Sequence, residues 1–211
     1  MRRITFDKLL GWAGTSLGAL LLVVASLLLW ASAYIHNNVY NQLAAQQITF
    51  PSAAAFQHPT ANGEITQSMI PSVSQYAGQP LVTGQQAEAY ADHFIAVHLQ
   101  EMGGGKTYSQ LSAESQAQPN NAQLASTVDT VFKGTTLRSM LLTAYSWWKV
   151  SQITYIVSLV AYGLGTVVFL GGLAGFGRIL RDRQHPAARL GAHALAIGQF
   201  DEAGREAGTA A

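Results

Sequence analysis

Two uncharged apolar stretches constrain this chain more than anything else in it. Residues 9–34 read LLGWAGTSLGALLLVVASLLLWASAY, and residues 150–177 read VSQITYIVSLVAYGLGTVVFLGGLAGFG. Each exceeds the roughly 20 apolar residues with which an α-helix crosses a ~30 Å hydrocarbon core. The expected fold class is an all-α membrane protein, with two transmembrane helices flanking a mainly helical extracytoplasmic domain that carries a Pro-rich irregular arm. The expected divisions are a cytoplasmic N-terminus (1–8), transmembrane helix one (9–34), the extracytoplasmic domain (35–149), transmembrane helix two (150–177) and a cytoplasmic tail (178–211).

The flanks give the direction. Arg2, Arg3 and Lys8 precede the first stretch, and Arg178, Arg181, Arg183 and Arg189 follow the second. Lys and Arg near span ends are retained on the cytoplasmic side, so both termini are expected inside and the mildly acidic central segment outside. The expected location is the plasma membrane. Ala31-Ser32-Ala33 has the small-x-small form of a signal-peptidase site, with cleavage then falling after Ala33, but the apolar run before it far exceeds a secretory h-region of about 7–15 residues. Arg2-Arg3 with Phe6 resembles a twin-arginine signal in which the Phe is displaced by one position. An uncleaved signal anchor is the expected reading. Trp12 and Trp30, ~27 Å apart along a helix, suit the two membrane interfaces.

Both stretches contain GxxxG, at Gly14/Gly18 and Gly171/Gly175. Paired glycines on one helix face let another backbone approach closely. Both pairs lie beside the cytoplasmic flank, so in an antiparallel arrangement the two spans are expected to pack there on each other. The alternative is contact with a second copy or another membrane protein. Neither stretch holds Asp, Glu, Lys, Arg or His, which argues against a transport pathway within this chain.

Between the spans, residues 36–47 are expected to prolong the first helix. Pro51, Pro59, Pro71 and Pro80, with Gly63, Gly78 and Gly84, then preclude long elements and give the irregular arm. Thr83-Gly-Gln-Gln86 has capping-box form, opening a helix that Gly103 caps. Ala87, Tyr90, Ala91, Phe94 and His98 share its core-seeking face. A short helix is expected over 107–117. From Asn121 an apolar pattern at three- and four-residue spacing runs into the second span, which predicts one long helix.

Chemical sites are sparse. Cysteine is absent, which excludes disulfides, thiolate ligands and a cysteine nucleophile. The net charge of +1 makes no case for nucleic acid. Gly105-Lys106-Thr107 copies the end of a P-loop, but the preceding element is a helix and the motif's first glycine falls on Gln100. His58, His93 and His98, near Asp92 and Glu101, are the weak metal candidates. His93 and His98 are five apart and diverge by roughly 140° on a helix, so a zinc site would need His58 to fold onto them. The alternative places His98 half-buried in the core and His93 in solvent. The tail (178–211) is Ala/Gly-rich, with a short interfacial helix expected over 188–200.

Four segments carry a resemblance: Gln46-Gln47-Ile48-Thr49-Phe50-Pro51, Leu81-Val82-Thr83-Gly84-Gln85-Gln86-Ala87, Gly104-Gly105-Lys106-Thr107-Tyr108-Ser109 and Thr136-Leu137-Arg138-Ser139. In these the chain resembles small, uncharacterised two-span membrane proteins of actinobacteria. Some of those are labelled aromatic ring-opening dioxygenases, a label that implies iron ligands such as two histidines and a carboxylate. No such set stands out in this sequence.

The expected function is therefore that of a non-enzymatic accessory or interaction subunit of the cell envelope, without cofactor, whose partners are the lipid bilayer and another membrane protein or itself. The alternative is a ligand- or metal-binding, sensor-like extracytoplasmic domain around His58, His93 and His98. Metal analysis of the purified chain, with a thermal-shift screen of divalent cations, separates the two: absence of bound metal and of any shift removes the alternative.

Overall fold

The computed structural model describes residues 2–60 and 63–184. The expected tail helix over 188–200 lies outside the described residues. Six α-helices follow one another in the described chain: α1 (Arg2–Ala45), α2 (Ile70–Val73), α3 (Gly84–Tyr90), α4 (Ala96–Met102), α5 (Tyr108–Ala117) and α6 (Ala122–Gln184). A single π turn, Ala91–Ile95, joins α3 to α4, and 3-10 turns occupy Ala55–Gln57 and Ser74–Tyr76. Among the described residues the only β pairing is an isolated antiparallel bridge between Thr49 and Pro80. Two helical segments, Lys8–Ala45 and Ala122–Gly177, are long and apolar enough to cross a membrane, each holding an 18-residue apolar window, of mean hydropathy 2.2 and 2.0.

The chain divides into two compact units. The first comprises Met1–Leu27 and Ser158–Ala211. Its described part is an antiparallel pair of helical segments. The buried positions on α1 are Gly11, Gly18 and Ala25, and those on α6 are Ser158, Gly165 and Gly172. Both series step by seven residues, the spacing of a left-handed helix pair. A Tyr162–Ser26 hydroxyl contact of 2.6 Å ties the two segments. Ser26 already donates to the Leu22 carbonyl at 2.8 Å, which leaves the phenol as donor.

The second unit is Leu28–Val157. Its core draws Val39 and Leu43 from α1, Ala87, Ala91 and Ile95 from the α3–π segment, and Leu141 and Trp148 from α6. The Pro-rich arm supplies the rest: Phe50, Phe56, Ile65, Met69, Val73 and Leu81. Met69 and Val73 are wholly buried. The arm is thus a principal source of core, with its base closed by Leu81 N–H donating to the Ile48 carbonyl (2.8 Å) and Phe50 N–H to the Gln79 carbonyl (2.9 Å). Gly78, at φ +69°, turns the returning chain.

Local signals explain the boundaries. The capping box of Thr83 and Gln86 forms at the start of α3, and a second, Thr107 with Gln110, starts α5. Gly103 caps α4, while the left-handed residues are Gly104 (φ +57°) and Gly105 (φ +77°). Their N–H groups donate to the Glu101 and Gln100 carbonyls at 3.1 and 2.7 Å, the pattern of a Schellman stop. Asn121 Oδ1 accepts from Leu124 N–H at 3.0 Å and opens α6. The helix then continues without a break through the apolar window, as its spacing predicts.

Gly84 is required for packing. A Cβ built there would overlap Cβ and Cγ of Trp148. Gly84→Val should therefore destabilise the protein by about 1–3 kcal/mol through overpacking, read as a lowered Tm of the detergent-solubilised chain.

Candidate functional site

Side chains of α1 and α6 within the second unit form an open groove of about 620 Å³, outward-facing ones on its walls and the core residues Val39, Leu43 and Leu141 beneath. Its walls recur at helical spacing: Tyr34, Asn38, Gln42 and Gln46 along α1, and Leu137, Met140, Ala144 and Trp147 along α6. Tyr34, Met140 and Trp147 are 60%, 64% and 53% exposed, large apolar surfaces that no other described residue covers. The polar members are amides and hydroxyls, and no charged side chain lines the groove. Such a volume lies within the ~300–1,000 Å³ of small-molecule sites. A second cavity of about 570 Å³ is lined by Leu29, Ser32, His36, Gln152 and Tyr155 among others. There Ser32 Oγ donates to the Ser151 carbonyl (2.8 Å), and the His36 ring lies 4.1 Å from that of Trp148.

The expected helix-packing glycines divide. In the first unit, a Cβ on Gly14 would sit 3.3 Å from Gly172 Cα, and one on Gly18 would overlap the Phe169 backbone. Gly175 lies near Gly11, with 3.8 Å to its Cα, but a Cβ on Gly171 would meet nothing among the described residues. The close approach falls on Gly172 and Gly165 instead, whose Cβ atoms would meet Thr15 and Leu21/Leu22. Adjacent helical positions differ by about 100°, so Gly171 and Gly172 cannot share a face. A GxxxG search finds Gly171/Gly175; the seven-residue recurrence of small residues finds the contact.

The histidines are dispersed. His58 is exposed just after a 3-10 turn and His93 is half-buried. The Nδ1 of His98 lies 2.8 Å from the Phe94 carbonyl. No group of three His, Asp or Glu side chains comes together among the described residues. Asp92 is engaged elsewhere: its Oδ1 accepts from Arg138 Nη2 at 2.6 Å, tying the π turn to α6. Arg138 Nε is buried without a protein acceptor among the described residues. Lys106 pairs with Glu114 at 2.7 Å and Thr107 caps α5, so both P-loop-like residues have local structural roles. The flank reading passed over Lys149, whose ammonium lies 5.6 Å above the Tyr145 ring.

An aromatic ladder runs through this unit. Phe50 meets Tyr76 and Tyr90 at 5.2 and 5.3 Å, Tyr90 stacks on Phe94 at 4.6 Å, and Phe94 meets His98 at 4.6 Å. Sequence periodicity placed Tyr90, Phe94 and His98 on one face; Phe50 and Tyr76 come from the arm and have no local signal. Burial, and secondarily the Glu64 carboxylate, push the Tyr90 phenol above its usual value of 10.0.

No protein-family model, curated protein or solved structure matches this chain.

Two outcomes test this geometry. Gly172→Val should weaken the pairing of the first unit while Gly171→Val leaves it intact, read as Tm and as resistance to detergent unfolding. For Tyr90, folded and unfolded chains bind the same proton below pH 10.0. Above it the unfolded phenol ionises first, so stability falls as pH rises. Tyr90→Phe should flatten that alkaline loss of Tm.

Proposed function

We propose that this chain is a two-span integral membrane protein with both termini in the cytoplasm, whose outer helical domain works as an interaction module for another envelope protein. Three features support the membrane part. The two windows are only 17% buried within the protein, so their Leu, Val and Ile side chains need an apolar surrounding to be stable. The phenol of Tyr162 meets the Ser26 hydroxyl at 2.6 Å, and such hydroxyl pairing between helices suits a hydrocarbon setting. The inner flanks carry the Lys and Arg residues on which orientation rests. Ser32, held inside α1 by its bond to the Ser151 carbonyl, is poorly disposed for cleavage beside it.

The observation that carries the interaction role is an exposed apolar surface far from the windows. Tyr108 and Phe132 lie with their rings 5.3 Å apart and are 39% and 51% exposed. Met102, at the end of α4, is 48% exposed. Phe132 precedes Trp147 by about 22 Å of helix, beyond the reach of hydrocarbon. Exposed apolar side chains grouped in this way mark protein contact. The reading assigns the chain no catalytic step.

Chemical cross-linking in native membranes, followed by purification in mild detergent, should recover a stoichiometric partner. The double substitution Tyr108→Ser and Phe132→Ser should release that partner by about tenfold or more, in line with the loss of two aromatic anchors. A cross-linker-resistant monomer from intact membranes would sink the proposal.

A further inference from the structure

The groove between α1 and α6 differs from the Tyr108/Phe132 surface in both position and chemistry. Resting on the two-span reading, the geometry points to a binding site for one acyl chain of a membrane phospholipid, drawn out of the outer leaflet along the helices.

Four observations lead there. First, Tyr34 and Trp147 stand at one end of the groove, beside the limits of the apolar windows, where interfacial aromatic residues sit. An acyl chain reaches that end by lateral diffusion, without crossing water. Second, the groove extends from Tyr34 to Gln46, ~18 Å of helix at 1.5 Å per residue, so it rises away from the bilayer. Third, a volume of about 620 Å³ along that length accommodates a single extended hydrocarbon chain. Fourth, its lining is apolar or neutral. A protein edge docked there would bring backbone dipoles and rim charges that find no ionic counterpart, whereas hydrocarbon needs none. Of the amides along α1, Gln42 Nε2 donates to Asn38 Oδ1 at 2.8 Å.

The site would shelter a lipid tail or present it to a neighbouring envelope protein. The exposed Met140 side chain is the natural position to test, because its replacement disturbs no buried contact.

The full chain is reconstituted in nanodiscs that contain a phospholipid bearing a diazirine at the terminal carbon of one acyl chain. In an undisturbed leaflet that carbon lies near the midplane, ~15 Å below the interface. After irradiation, adducts are mapped by peptide mass spectrometry. Adducts on Leu137 or Met140 place the chain end outside the bilayer, as expected. Met140→Glu should lower those adducts about tenfold, since a charge opposes hydrocarbon, while adducts on span residues such as Leu20 and Val167 persist. Thr143→Trp, which fills the groove from its exposed wall, should do the same. Adducts confined to the spans would overturn the lipid site and leave the two-span reading standing. Failure to label the spans would overturn both. Labelling at Leu137 that neither substitution lowers, or a protein cross-link at Met140 in its place, would also refute the acyl site.

Discussion

Trp148 is where the second unit is joined. Its indole is 6% exposed, its ring lies against His36 of α1, and its Cβ and Cγ occupy the space that only a glycine at position 84 leaves open. Three helices are thereby set against one another by one side chain, three residues before the buried Ser151. Burying an aromatic residue of this size dominates a small core. The arm's Met69, Leu81 and Val73 fill the rest of that core, and the Asp92–Arg138 pair ties the π turn to α6. The groove lies where outward-facing residues of α1 and α6 flank the edge of that core at Val39, Leu43 and Leu141.

In the first unit, backbone proximity takes the place of side-chain volume. Small residues recur every seven positions, glycine and alanine on α1 and serine and glycine on α6, so the two backbones meet with little between them. Lipid tails are as apolar as leucine, so close van der Waals contact and a few hydroxyl bonds are what favour pairing in hydrocarbon. Large side chains are turned outward: Leu20, Val23, Leu164 and Val167 are all more than half exposed. One sequence thus uses small residues as contact and large residues as surface, the reverse of a soluble core. In the second unit the buried residues are large ones, Trp148, Leu141 and Val39 among them.

Much of this was legible in the residues. Proline and glycine spacing marked the arm, Thr83 and Gln86 the start of α3, and Asn121 the start of α6, because each acts through its own backbone within a turn or two. The glycine contact was half legible. The motif at Gly14/Gly18 found the face on α1, whereas on α6 four glycines in the space of seven positions, 171, 172, 175 and 177, offered several faces. Only the partner helix selects among them. Nothing local told that Asp92 would meet Arg138, 46 positions away, or that Phe50 and Tyr76 would complete the ladder on Tyr90.

The sequence by itself determined two helices with membrane-length apolar windows, a helical segment between them and the absence of any thiol chemistry. Those properties follow from composition and periodicity, which each residue carries wherever the chain folds. Tertiary structure alone decided that the Pro-rich arm is core rather than covering, that Gly172 takes the close contact beside an open Gly171, and that Tyr34, Met140 and Trp147 line one uncharged groove. These depend on which faces of separate helices are brought together. That choice is made by shape and volume at the contact, as Trp148 against Gly84 makes it here.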